Sequence, residues 1–148
     1  MKIGFVQFGP ALGKVDENID RAAALIRSIK TVLVVLPELF NTGYFFSSHE
    51  QVRGLAEPVP EGKTTRALMK ISRERKTWVA AGRAEKSKDG IFNSAVLVSP
   101  AGDVVTYRKI HLFNEEKIWF NPGDLGFISV DAGKCRLGLM VCFDWFFP

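Results

Sequence analysis

Thr31-Val32-Leu33-Val34-Val35-Leu36, followed at once by Pro37-Glu38, is the stretch that decides the fold. From Val32 the run is apolar and rich in β-branched residues with no polar face, the pattern of a strand buried on both sides of a sheet. Upstream, residues 2–8 alternate well enough for a first strand, and Gly9-Pro10 ends it. Asp16 stands where it can cap a helix over residues 17–30, in which Ile19, Ala22, Ala23, Ile26 and Ile29 form one apolar stripe. Strand, amphipathic helix and buried strand together predict a β-α-β unit. Downstream, residues 41–62 carry Gly43, Gly54, Pro58 and Pro60. That irregular stretch is too long for a simple turn and is a candidate pocket wall. A second helix is expected from Thr64 or Thr65 to about Arg75, with Leu68 and Ile71 facing inward. Short strands then follow at residues 77–84, 93–99, 104–107, 126–130 and 136–141, separated by turn signals such as Lys88-Asp89-Gly90 and Asp131-Ala132-Gly133. The order predicts an α/β fold with a mixed sheet and helices on one face.

The 148 residues, 47% hydrophobic and 24% charged, are enough for one domain and exclude disorder. The longest apolar run, residues 32–37, is far below the ~18 to 20 residues of a membrane span, and Met1 leads straight into a strand-like segment without signal-peptide architecture. The expectation is a cytoplasmic protein with no membrane partner. A net charge of +4 is mild, and Lys70, Arg73, Arg75 and Lys76 are mixed with Glu74, so nucleic acid is not an expected partner. Cys135 and Cys142 flank one expected strand, where a rise of ~3.3 Å per residue holds them too far apart for a disulfide. Neither His49 nor His111 has a partner at metal-ligand spacing, and Gly62-Lys63-Thr64 lacks the earlier glycine of a phosphate loop because Glu57 stands there. No metal or cofactor is expected.

Three apolar runs end in a reactive group: residues 32–37 in Glu38, 104–108 in Lys109, and 137–141 in Cys142. In open α/β sheets the ligand crevice lies beyond the carboxyl ends of the strands, so the repeated pattern points to one shared pocket. A carboxylate placed directly after Leu33–Pro37 cannot be buried unpaired without a cost of several kcal/mol, and Lys109 invites the same argument. A lone cysteine is most simply a buried structural thiol. With a base and a cation it becomes a nucleophile, because a free thiol of pKa ~8.5 is only a few per cent thiolate at neutral pH. Glu38 can take the proton and Lys109 can favour the anion. In acyl transfer the lysine also faces the developing oxyanion, joined by the backbone N–H of Phe143. Glu38 then protonates the departing amine and activates water for thioester hydrolysis.

Leu36-Pro37-Glu38-Leu39-Phe40, Tyr107-Arg108-Lys109-Ile110-His111-Leu112 and Gly138-Leu139-Met140-Val141-Cys142-Phe143-Asp144 resemble, in order, the three signature motifs of the nitrilase, or carbon-nitrogen hydrolase, superfamily. The similarity runs from Lys2 to Pro148 and includes the Asn121-Pro122-Gly123-Asp124 turn. It implies Glu38 as general base, Lys109 as stabiliser of oxyanion and thiolate, and Cys142 as nucleophile. It also implies a supporting second glutamate, Glu115 or Glu116, with register favouring Glu116. Phe143-Asp144, in place of the Trp-Glu that usually follows a nitrilase nucleophile, favours the amidase and carbamoylase branches. The implied reaction is hydrolysis of a small linear amide or N-carbamoyl compound with release of ammonia. The implied fold is an α-β-β-α sandwich with mixed sheets. Residues 1–148 would be the N-terminal part of that domain, truncated after the nucleophile strand with its C-terminal half missing. A complementing C-terminal fragment or a second copy in a homo-oligomer is then the expected partner. A non-catalytic assembly or binding module and an N-acyltransferase are the alternatives. Arg53 or Arg83 is a candidate to pair a substrate carboxylate. His111 is expected to support the lysine loop through hydrogen bonds. Phe143, Trp145, Phe146 and Phe147 can line an apolar pocket or pack in the core.

Overall fold

In the computed structural model, which describes residues 1–148, the stretch around Val34 builds the expected unit. Strand β1 (Ile3–Phe5) and strand β2 (Leu33–Val35) pair in parallel with Ile3 beside Leu33 and Phe5 beside Val35, and helix α1 (Val15–Ser28) crosses between them. Both ladders are shorter than the sequence suggested, yet the extended path runs on. The Val6 N–H donates to the Val35 carbonyl at 2.9 Å and the Leu36 N–H to the Ala80 carbonyl at 2.8 Å. Asp16 is not the helix cap. Helix α1 begins at Val15 with no side-chain cap, which leaves Asp16 in the first turn, where it pairs with Lys63 at 2.7 Å.

The stretch expected to be irregular holds a short helix, α2 (His49–Leu55), opened by Ser48, whose hydroxyl accepts the Gln51 N–H. A serine just before a helical segment is a strong N-cap, a signal that the surrounding glycines and prolines mask in the sequence. Helix α3 (Lys63–Arg75) follows and ends on Lys76 in the left-handed region. Strand β3 (Trp78–Ser87), strand β4 (Gly90–Val98) and strand β5 (Val104–Arg108) complete a five-stranded sheet of order β1-β2-β3-β4-β5, parallel from β1 to β3 and antiparallel from β3 to β5. Strands β3 and β4 outrun expectation because the two residues Lys88-Asp89 suffice to close their hairpin.

One face of the sheet carries both long helices. Ala22 and Ile26 of α1 and Leu68 and Ile71 of α3 pack on Val34, Val79, Val96 and Val98. Side chains of this size contribute about 1.5–3 kcal/mol each when fully buried, so this layer is the main source of stability. The other face receives a separate two-stranded sheet, β6 (Ser129–Asp131) with β7 (Arg136–Gly138), whose Val130 and Leu137 rest with Leu139 on Leu33, Ala80 and Leu97. Strand β7 stops at Gly138, three residues short of expectation, because Leu139 and Val141 leave the ladder to pack inward. The hairpin covers that face only in part: Ile3, Phe5, Val35 and Met140 stay exposed. No helix is long and apolar enough to cross a membrane.

Candidate active site

Glu38 is fixed by what flanks it. Leu39 and Phe40 are fully buried, the Gly82 N–H donates to the Pro37 carbonyl at 3.3 Å, and the Phe40 N–H donates to the Gly82 carbonyl at 3.0 Å. Gly82 has to be glycine, since a Cβ there would meet the Glu38 Cα at 2.6 Å. Leu39 adopts φ 49°, a left-handed turn that costs a non-glycine residue of order 1 kcal/mol or more and swings the chain off the sheet directly after the carboxylate.

Lys109 follows the last residue of β5, its N–H donating to the Asn93 carbonyl at 2.8 Å. The Asn121–Asp124 turn clamps it from the other side. The Gly123 N–H donates to the Lys109 carbonyl at 2.8 Å, and a side chain at Gly123 would collide with the Arg108 carbonyl. Arg108 is held by Glu85 at 2.5 Å and Asp124 at 2.8 Å, and stacks 3.9 Å over the Phe92 ring. The lysine side chain is thereby delivered to a buried position with no exposure of its own.

There the ammonium meets two carboxylates, donating to Glu38 Oε1 at 2.9 Å and to Glu116 Oε1 at 2.8 Å. Asn93 Nδ2 also donates to both, at 2.7 Å and 3.3 Å respectively. The two acids are not equivalent. Glu116, on the single-turn helix α4 (Glu116–Trp119), further accepts the Tyr44 hydroxyl at 2.6 Å on Oε1 and the Phe113 N–H at 2.8 Å on Oε2. Burial pushes Glu116 up, but the Lys109 ammonium, the Phe113 N–H and the Tyr44 hydroxyl outweigh it and hold the carboxyl below its ordinary value. Burial likewise lowers Lys109, and its two carboxylate partners more than reverse this, so the amine stays charged. Glu38 receives protein donors on Oε1 alone, leaving Oε2 free on a side chain that is 20% exposed.

Cys142 lines a cavity of about 210 Å³ together with Glu38, Ala95, Met140, the end of β2 and residues 80–82 of β3. It opens a 3-10 turn (Cys142–Phe146) in a left-handed backbone conformation, φ 44°, which lifts its side chain off the strand path. Asp144 pins that turn: fully buried, it accepts the Val141 N–H at 3.0 Å, the His111 N–H at 2.9 Å and the Tyr107 hydroxyl at 2.7 Å, and His111 Nδ1 lies 3.0 Å away. The Cys142 turn and the Lys109 loop are thus tied through one carboxylate. The thiol itself is pushed above its ordinary value, first by partial burial and then by the Glu38 and Glu116 charges, against the opposing pull of Lys109 and the Phe143 N–H. Burial is the largest of these influences and the Glu38 charge the next. Lys109 pulls the thiol towards the anion, and burial together with the two carboxylates outweighs that pull.

Of the two glutamates near the lysine motif, Glu116 is the buried partner and Glu115 is exposed. Neither arginine candidate for a substrate carboxylate reaches the cavity. Arg83 is fully buried, with its two terminal nitrogens bonded to Thr65, Glu57 and the Pro58 carbonyl. Arg53 lies on α2 beside a different cavity, bounded by Ile118 and Asn121. Phe143 packs edge-on against Phe113, with ring centroids 5.0 Å apart, and Trp145 and Phe146 are largely exposed, so the terminal aromatics do not wall the Cys142 cavity. Sequence reasoning missed Asn93, Tyr44 and Asp144 as parts of the site. A period-two count along β4 could have found Asn93, since it shares a face with Ala95.

The carbon-nitrogen hydrolase family model matches residues 2–148. A nitrilase of Pyrococcus abyssi is 48% identical over this whole chain, which spans 58% of that protein, and an (R)-stereoselective amidase of Pseudomonas is 36% identical over 97% of this chain and 52% of its own length. The crystal structure of a CN-hydrolase superfamily protein from Xanthomonas campestris, with an arsenic adduct in its active site, superimposes with a TM-score of 0.91 at 26% identity, covering all of this chain and 55% of that one. The chain therefore spans about half the length of the relatives it matches. A family match from end to end, carried by an α/β fold with the same mixed sheet, establishes that this chain belongs to the carbon-nitrogen hydrolase family.

Proposed function

We propose that this chain supplies the catalytic centre of a cysteine-dependent amidase that hydrolyses a small linear amide or N-carbamoyl compound through a thioester. The observation that carries the reading is the asymmetry of the two carboxylates: Glu116 has donors on both oxygens and Glu38 on one. A fully satisfied acid makes a poor base. The free Oε2 of Glu38, a residue that lines the cavity shared with Cys142, is the site that can accept a proton. A thiol held protonated at neutral pH loses that proton to Glu38 as the sulfur attacks the carbonyl carbon, so no resting thiolate is required. An ammonium has three N–H donors, and Lys109 spends two on carboxylates. The third, with the Phe143 N–H, serves the oxyanion. Glu38 returns its proton to the departing nitrogen, the C–N bond breaks and ammonia leaves. Water, deprotonated by Glu38, then attacks the thioester, releasing the carboxylic product and restoring the thiol.

The test is ammonia release by the natural-length protein with Glu38→Gln set against Glu116→Gln. The reading expects Glu38→Gln to cost about 10² to 10⁴ in kcat, the range of a general base, and Glu116→Gln to cost distinctly less. Equal or inverted losses would overturn the assignment.

A further inference from the structure

Beside the same ion cluster lies a second cavity, of about 200 Å³, with Glu116 and its donor Tyr44 in its wall. Its remaining walls are mostly aromatic. Phe46 stands edge-on to Phe120 and Trp119, with centroids 5.7 Å and 6.5 Å away, while Phe45 (81% exposed) and Phe113 (49% exposed) form the rim. An apolar cavity of ~150 Å³ already takes a benzene ring, so this one has room for a single ring. It adjoins the reacting centre, because the Phe113 ring lies against that of Phe143, the residue after Cys142.

Charge narrows the occupant further. Glu115 and Glu116 line this cavity and neither Lys nor Arg does; the Cys142 cavity carries Glu38 and no cation either. Lys109 is buried between two carboxylates, leaving the cluster with a net charge of about −1. A substrate bearing its own carboxylate meets repulsion from these residues. We propose that this cavity is the subsite for the non-reacting end of the substrate, and that the substrate class is uncharged aryl-alkyl amides rather than carboxylate-bearing amides. The proposal rests on the amidase reading for turnover, although binding tests it separately.

The probes are phenylacetamide, acetamide and succinamic acid, offered to the natural-length protein. The expected kcat/KM for phenylacetamide exceeds that for succinamic acid at least tenfold. Phe45→Ala and Phe113→Ala, at exposed ring positions, should each lower the ratio of phenylacetamide to acetamide turnover at least fivefold. A preference for succinamic acid, or an aryl preference that survives both variants, overturns the proposal. In parallel, saturation-transfer NMR on Cys142→Ser reads phenylacetamide binding without turnover. Binding that weakens on adding Phe45→Ala supports the subsite even if no amide is hydrolysed, in which case the amidase reading fails alone. Absence of binding, or binding that Phe45→Ala does not weaken, overturns the subsite whatever the turnover shows.

Discussion

At Cys142, what matters is the sum of charges within reach of one sulfur. Partial burial and two carboxylates raise the thiol, while one ammonium and one backbone N–H lower it, and the first group wins. Alkylation of Cys142 by iodoacetamide should therefore rise with pH through a midpoint above the ~8.5 of an unperturbed cysteine. Glu116→Gln, which removes a repelling charge, should move that midpoint down, and Lys109→Met should move it up. A midpoint well below the ordinary value would show that a thiolate rests in the site and that proton transfer to Glu38 is unnecessary. Glu38, Lys109 and Cys142 stand out in the sequence because each closes an apolar run, and register with the Asn121–Asp124 turn points to Glu116. Their balance does not stand out, because it depends on Asn93 and Tyr44, which reach the cluster from β4 and from a loop 72 residues before Glu116. No local pattern marks a donor whose acceptor is that distant.

Among the elements, the joint between the Cys142 turn and the Lys109 loop rests on Asp144. Burial pushes this carboxyl up, and the Tyr107 hydroxyl, the Val141 and His111 N–H groups and the His111 ring together hold it below its ordinary value. A depressed carboxylate stabilises the fold above the ordinary aspartate pKa of ~3.9, and that contribution is lost as pH falls through the lower folded value. Asp144→Asn should thus cost about 2–3 kcal/mol at neutral pH, the scale of hydrogen bonds to a buried charge, and less near pH ~3, where part of the contribution is gone. Denaturant unfolding at the two pH values checks this, and an equal cost at both would count against a charged Asp144. Periodicity and run length found the β-α-β unit, helix α3 and the mixed sheet. They misplaced ends, as at β7, where inward packing of Leu139 and Val141 overrides a continuous apolar run. They missed α2 because its evidence was one capping serine rather than a long stripe.

For the molecule as a whole, the helix-covered face of the sheet is complete and the opposite face is not. Ile3, Phe5, Val35 and Met140 lie open beside the β6-β7 hairpin, with Trp145 and Phe146 exposed nearby in sequence. At ~25 cal/mol per Å², every ~400 Å² of such surface covered is worth about 10 kcal/mol, comparable with the whole stability of many domains. Residues 1–148 expressed alone should therefore elute larger than a 16.5 kDa monomer, and Phe5→Lys with Met140→Lys should shift the material towards that size. A wild-type monomer that binds no apolar dye would contradict this. Whether Glu38, Lys109 and Cys142 act on one reacting carbon is read by intact mass with peptide mapping after acid quench of the natural-length protein incubated with short amides. An acyl adduct confined to Cys142 and abolished by Glu38→Gln is the predicted result; an adduct on Cys135, or amide hydrolysis that survives Cys142→Ala, would contradict it.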